Sequence, residues 1–206
     1  MYKSNGPHLI LVTLDTNGLD HEHASRLEMV LPKDVVVAVV TVSLREHKLS
    51  PSIHGLAVIL ENGIWGESEW GNFIWGGTIS EDLVIGESQL GSAQLGGGAD
   101  MFEKVLTIIS NGSFPPPGHR DNLTLGHRRT MRDAMIFSAH TRERRVLFIT
   151  KDARGFVKHG RREQLQDIGK TVIRSLEELE QLTDPNKFWV ELRALQVKLE
   201  PDQVET

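Results

Sequence analysis

Three short, almost continuous runs of apolar residues constrain the fold of this 206-residue chain most strongly. They cover His8–Leu14, Val35–Val42 and Arg145–Thr150. A run of this length without polar alternation is typical of a strand that is buried on both faces, as in a parallel sheet. A helical segment at 19–31 joins the first two runs into a βαβ unit. We therefore predict an α/β fold with a central parallel sheet.

The composition excludes several other classes of protein. Hydrophobic residues make up 39% and charged residues 25% of the chain, which is ordinary for a globular domain. No apolar run approaches the roughly 20 residues that a membrane span needs. The chain has no cysteine, which excludes a disulfide scaffold and thiolate zinc sites. Its first residues lack the layout of a signal peptide, so we expect a cytoplasmic protein with no membrane partner.

The length predicts a single domain over 1–206. Its core is expected at about 8–48 and 119–183, with an insertion at about 49–118 between the two parts. A final helix is expected at about 185–199, following Asp184-Pro185.

The insertion is rich in glycine and contains an internal repeat. Residues Ile64–Gly77 align without gaps with Val84–Gly97, twenty positions further along the chain. Two copies are too few for a solenoid, so we interpret them as two similar extended or hairpin-like segments.

Formal charge is strongly segregated along the chain. Counting Lys and Arg against Asp and Glu gives −8 for 1–117, +8 for 118–174 and −5 for 175–206. A basic stretch beside acidic ones can hold a polyanion close to metal-binding carboxylates. The alternative is a set of solvated helix faces, which charge alone favours.

Acidic residues follow the predicted strands. Asp15 and Asp152 come just after the first and third apolar runs, and Glu46 follows the second within one helical turn. Asp133 lies on the predicted helix that leads into the third run. Ligands bind at the carboxyl ends of parallel strands, where these side chains are expected to meet.

Four carboxylates at one edge raise each other's pKa unless a cation compensates their charge. Mg²⁺ and Mn²⁺ prefer oxygen ligands and bridge carboxylates to phosphates. The pattern predicts metal-assisted hydrolysis of phosphodiester bonds. Taken singly, each acid also has a structural interpretation: a turn or N-cap for Asp15 and Asp152, an ion pair with a neighbouring arginine for Asp133, and a solvated helix residue for Glu46.

In order along the chain, four segments resemble the acidic motifs of PIN-domain nucleases. The segments are Leu14-Asp15-Thr16-Asn17, Thr41–Glu46, Arg132-Asp133-Ala134 followed by Ala139-His140, and Phe148–Asp152. The resemblance covers about 8–48 and 120–180, and the insertion is longer than in compact members of the family. It implies a three-layer α/β/α fold with a central parallel sheet.

The resemblance also implies a ribonuclease site that depends on Mg²⁺ or Mn²⁺. The catalytic and metal-binding residues would be Asp15, Glu46, Asp133 and Asp152. Asn17 and Thr150 match positions that support the metal site by hydrogen bonding. Glu28 is the alternative to Glu46, because the surroundings of Glu46 are generic.

Basic residues next to the predicted site suggest how RNA would bind. Lys158, Arg161 and Arg162 follow Asp152 closely, and Arg129 lies on the same predicted helix as Asp133. Arginine forks and glycine amides bind phosphates, so we expect these four residues to contact RNA. The alternative, a basic surface that neutralises the acidic flanks, stays open for the arginines at 142–145.

Three functions remain at this stage. The first is a metal-dependent endoribonuclease of the toxin or RNA-processing type, with RNA as substrate and an antitoxin, another protein or a second copy of the chain as partner. The second is a catalytically silent PIN-like module that binds RNA or protein. The third is a phosphatase with an aspartyl-phosphate intermediate, ranked last because Asn17 stands where that mechanism needs a second aspartate.

Overall fold

A computed structural model describes most of the chain. The described residues are 9–15, 21–40, 57–60, 65–70, 73–81, 99–116, 119–120 and 123–199. Two of the predicted site residues, Asn17 and Glu46, lie outside these ranges, whereas Asp15, Asp133 and Asp152 lie inside them.

The described residues form seven strands, six α-helices and one π-helical turn. The strands are β1 (Ile10–Leu14), β2 (Val35–Val40), β3 (Ala57–Leu60), β4 (Trp65–Trp70), β5 (Phe73–Glu81), β6 (Leu147–Ile149) and β7 (Val172–Arg174). The helices are α1 (His21–Val30), α2 (Ala99–Ser110), α3 (Leu125–Arg142), α4 (Arg161–Gly169), α5 (Leu176–Glu180) and α6 (Pro185–Leu199), and the π-helical turn covers Ala153–Val157.

Five of the strands form one sheet in the order β3-β2-β1-β6-β7. Every neighbouring pair in it is parallel. Leu14, the last residue of β1, is in register with Val39 of β2 and with Ile149 of β6, so these strands end at the same edge. The predicted α/β class and central parallel sheet are confirmed.

Helices cover both faces of this sheet. On one face, the side chains of Val12 and Leu14 pack in a cluster with Leu27 of α1 and with Trp189 of α6. On the other face, Phe148 of β6 packs among residues of α2, α3 and α4. Burial of both faces explains why the strands read as continuous apolar runs. The arrangement is compatible with the predicted three layers.

The helix α3 is fixed at its start by a cap and along its length by aromatic contacts. The Thr124 hydroxyl accepts a hydrogen bond from the amide of His127 at 3.1 Å. The ring of Phe137 lies 5.2 Å from that of Phe148 in β6, and Phe148 lies 4.9 Å from Phe156 in the π-helical turn. These rings pack α3, β6 and the turn together, and each of these three elements carries or adjoins a predicted site residue.

The insertion contributes a separate hairpin. Strands β4 and β5 pair antiparallel, with Trp70 opposite Phe73 and a register shift between Gly66 and Ser68. The hairpin contains most of the first repeat copy, as expected, while the second copy lies outside the described residues. Among the helices of the described ranges, none is long and apolar enough to cross a bilayer.

Candidate metal centre

Asp15 lies at the carboxyl edge of the sheet, between β1 and β6. It directly follows β1, and its amide still donates to the carbonyl of Ile149 in β6 at 2.9 Å. Its side chain is almost inaccessible to solvent, with 1% of the residue surface exposed. A buried carboxylate is unfavourable unless it is hydrogen-bonded or paired, so its neighbours decide its charge state.

The hydroxyl of Thr150 connects Asp15 to Asp152. It donates to Asp15 Oδ2 at 2.6 Å and accepts from the Asp152 amide at 2.9 Å. Thr150 is itself 1% exposed and follows β6 directly. One buried hydroxyl therefore fixes the carboxylate that follows β1 relative to the backbone that follows β6. The hydrogen bond between Thr150 and Asp15 is observed, while the support of a metal site by Thr150 stays a prediction.

Asp152 caps the π-helical turn with one of its two carboxylate oxygens. Its Oδ1 accepts from the amide of Arg154 at 2.8 Å and from the amide of Gly155 at 3.0 Å. A side chain that caps its own following turn leaves no periodic apolar pattern in the sequence. The cap fixes the orientation of the carboxylate.

The other oxygen of Asp152 lies near Asp133. A Cβ atom placed on Gly155 would be 2.6 Å from Asp152 Oδ2 and 3.6 Å from Asp133 Oδ2. The two oxygens are therefore no further apart than the sum of these two distances. Asp133 is half-buried on α3, and Gly155 is buried in the turn. Two aspartates that are 19 positions apart in the sequence thus each place an oxygen close to one glycine.

The donor set suits a hard divalent cation. Carboxylate oxygens are the ligands that Mg²⁺ and Mn²⁺ prefer, and Mg²⁺ in phosphate chemistry usually takes one or two carboxylates and completes its shell with water and phosphate. Within the ranges that the structure describes, no group of three or more His, Asp or Glu side chains is arranged to hold one ion. Asp133 and Asp152 would hold the cation.

The predicted RNA-binding residues differ in their surroundings. Arg129 and Lys158 are exposed. Arg161 donates to the carbonyl of Arg154, on the preceding turn. Arg162 makes two hydrogen bonds to the carboxylate of Glu178, at 2.7 and 3.2 Å, and so connects α4 to α5. Phosphate binding by Arg162 would compete with this ion pair.

Two other basic residues of this region are part of the core. His140 is fully buried between the hydroxyls of Thr13 and Thr171. Arg145 is 5% exposed and donates to the carbonyl of Val12 at 2.9 Å. Burial lowers the pKa of Arg145 to about 10. Arg145 is therefore part of the core. The alternative of a basic surface formed by the arginines at 142–145 is wrong for this residue.

Sequence reasoning did not single out Gly155 for the site. A glycine three positions after an aspartate is too common to indicate a site. Only the short distances from the place of its missing Cβ to the oxygens of Asp152 and Asp133 distinguish it. Comparisons of the chain with protein-family models, with curated proteins and with solved structures give no match.

Proposed function

We propose that this protein is a metal-dependent endoribonuclease of the PIN type, which hydrolyses RNA phosphodiester bonds with Mg²⁺ or Mn²⁺. The observation that carries the proposal is the approach of the Asp133 and Asp152 carboxylates over Gly155, at the edge of the sheet where Asp15 also lies. The order of the acidic residues along the chain is the order in which PIN-like sequences carry them.

The position of these residues supports a site that binds ligands. In open parallel sheets, ligands bind beyond the carboxyl ends of the strands, and β1 and β6 both end there. Asp133 reaches this edge from α3 and Asp152 from the π-helical turn. Single π-helical turns are rare and are frequent at functional sites.

The residues of the chain would have distinct tasks. Asp133 and Asp152 would bind the cation through their Oδ2 atoms. Asp15 would orient the site through Thr150, and Glu46 would complete the acidic set. Lys158 and Arg129 would bind the phosphates of the substrate next to the acidic residues. When bound, Mg²⁺ or Mn²⁺ supplies charge stabilisation at the phosphate and lowers the pKa of a water molecule.

The experiment is cleavage of a fluorescently labelled single-stranded RNA by the full chain. We expect cleavage with Mg²⁺ or Mn²⁺, none with excess EDTA, and a loss of about 100-fold or more in Asp133→Asn and in Asp152→Asn. Asp167→Asn is the matched control, because Asp167 is exposed on α4 and pairs with Lys170 three residues further along the chain. It should cleave at the wild-type rate.

Two results would contradict the proposal. Cleavage that survives EDTA, or that Asp133→Asn leaves unchanged, would show that the acidic pair does not perform the chemistry. RNA binding without cleavage under all metal conditions would instead support the silent RNA-binding module, the alternative that shares this fold prediction. Circular dichroism of each variant separates a loss of activity from a loss of folding.

A further inference from the structure

Gly155 is the residue that has a carboxylate oxygen of both Asp152 and Asp133 close to the place where its Cβ would be. Its backbone does not require glycine, because its φ angle is not among the positive ones recorded for described residues. An alanine could adopt the same backbone conformation without strain. The reason for glycine at this position must therefore come from what surrounds the place of the missing Cβ.

That place is already occupied by the Asp152 carboxylate. A Cβ on Gly155 would lie 2.6 Å from Asp152 Oδ2 and 3.3 Å from its Cγ. The first distance is far below van der Waals contact, so the carboxylate or the turn would have to move. The carboxylate cannot rotate freely, because its Oδ1 accepts hydrogen bonds from the amides of Arg154 and Gly155.

We propose that Gly155 is a positioning residue for the metal site: the absence of a side chain allows Asp152 to cap the turn through Oδ1 while its Oδ2 faces Asp133. The metal-binding role of Gly155 rests on the proposed metal-dependent function. Its effect on the position of Asp152 rests on the distances alone. Any larger residue at 155 forces Asp152 to give up either the cap or its position next to Asp133.

The first test measures Mn²⁺ binding to the full-length apoprotein by electron paramagnetic resonance, without any substrate. We expect Gly155→Ala to raise the dissociation constant for Mn²⁺ at least 10-fold, in the range of about 10- to 100-fold that loss of an outer-shell support costs. The matched control is Gly126→Ala, since a Cβ there meets only the Thr124 hydroxyl oxygen at 3.7 Å. This control should bind Mn²⁺ as the wild type does.

The second test is a double-mutant cycle on thermal unfolding without metal. Gly155→Ala should lower the unfolding midpoint by about 2–4 °C. Loss of the stabilisation that one N-cap provides shifts the midpoint by this amount in a domain of this size. In an Asp152→Ala background the same substitution should lower it no further, because the clashing oxygen is gone and Asp133 Oδ2 would be at an ordinary 3.6 Å.

The outcomes separate this inference from the proposed function. Equal Mn²⁺ affinity in Gly155→Ala and wild type, with weaker binding in Asp152→Asn, would overturn the positioning role alone. Absence of Mn²⁺ binding in the wild type would overturn the metal-dependent function and the metal role of Gly155. An additive double-mutant cycle would show that residue 155 does not determine the position of Asp152.

Discussion

The imidazole of His140 is buried in the middle of the fold and is in hydrogen-bond contact through both ring nitrogens. Its Nδ1 lies 2.9 Å from Thr13 Oγ1 and its Nε2 lies 2.8 Å from Thr171 Oγ1. Burial, and to a smaller extent the positive charge of Arg145, lowers the pKa of His140 from 6.5 to about 3. The ring is therefore neutral in the folded protein at ordinary pH.

This shift predicts how stability depends on pH. The unfolded state binds a proton at His140 near pH 6.5, whereas the folded state binds it only near pH 3. Between these values the unfolded state holds more protons, so the free energy of unfolding falls as the pH falls. One pKa unit corresponds to about 1.4 kcal/mol, so acidification to about pH 4.5 removes about 3 kcal/mol at this site.

The assay is denaturant-induced unfolding of the wild type and of His140→Gln at about pH 7 and about pH 4.5. At pH 7 we expect the substitution to cost roughly 2–4 kcal/mol, because ring contacts with Phe137 and Phe148 are lost along with buried hydrogen bonds. At pH 4.5 that cost should be smaller by about 3 kcal/mol, since glutamine cannot take up the proton.

The control is His119→Gln, because His119 is exposed. This substitution should leave the difference in the free energy of unfolding between the two pH values as it is in the wild type. If the cost of His140→Gln were the same at both pH values, the imidazole would not be held neutral by the fold, and the reasoning would be refuted.

Three further substitutions test individual contacts. Arg162→Gln should lower stability by about 1 kcal/mol in denaturant unfolding, because it breaks the paired hydrogen bonds with Glu178; an unchanged midpoint would contradict the contact between α4 and α5. Lys170→Gly should raise stability by about 0.5–1 kcal/mol, since residue 170 ends α4 at φ 49° and ψ 41°; a decrease would contradict this. Lys158→Ala should weaken RNA binding and reduce its salt dependence in fluorescence anisotropy, whereas Lys187→Ala, on α6, should do neither.

The sequence predicts most of the fold because its strands are buried on both faces. The runs that contain β1, β2 and β6 have no polar alternation, which indicates a parallel sheet directly. The helix α5 is also predictable, since Ser175 and Glu178 form the capping box that their spacing suggests.

The candidate site is predictable only in part. That Asp15 and Asp152 lie beyond neighbouring strands follows from the parallel sheet, and Asp133 was placed on the correct helix. The π-helical turn and the role of Gly155 were not predictable, because they depend on contacts between side chain and backbone rather than on periodicity. Likewise, no pattern distinguishes Arg162, which pairs with Glu178, from the exposed Lys158. The predicted roles of Asn17 and Glu46 concern residues outside the described ranges.

The most direct test of the account is an anomalous difference map from crystals of the protein soaked in Mn²⁺. We expect a peak within coordination distance of both Asp133 Oδ2 and Asp152 Oδ2, beside Gly155, and no such peak in crystals of Asp133→Asn. A map from well-ordered wild-type crystals with no peak between these two oxygens, or with the same peak in Asp133→Asn, would contradict it.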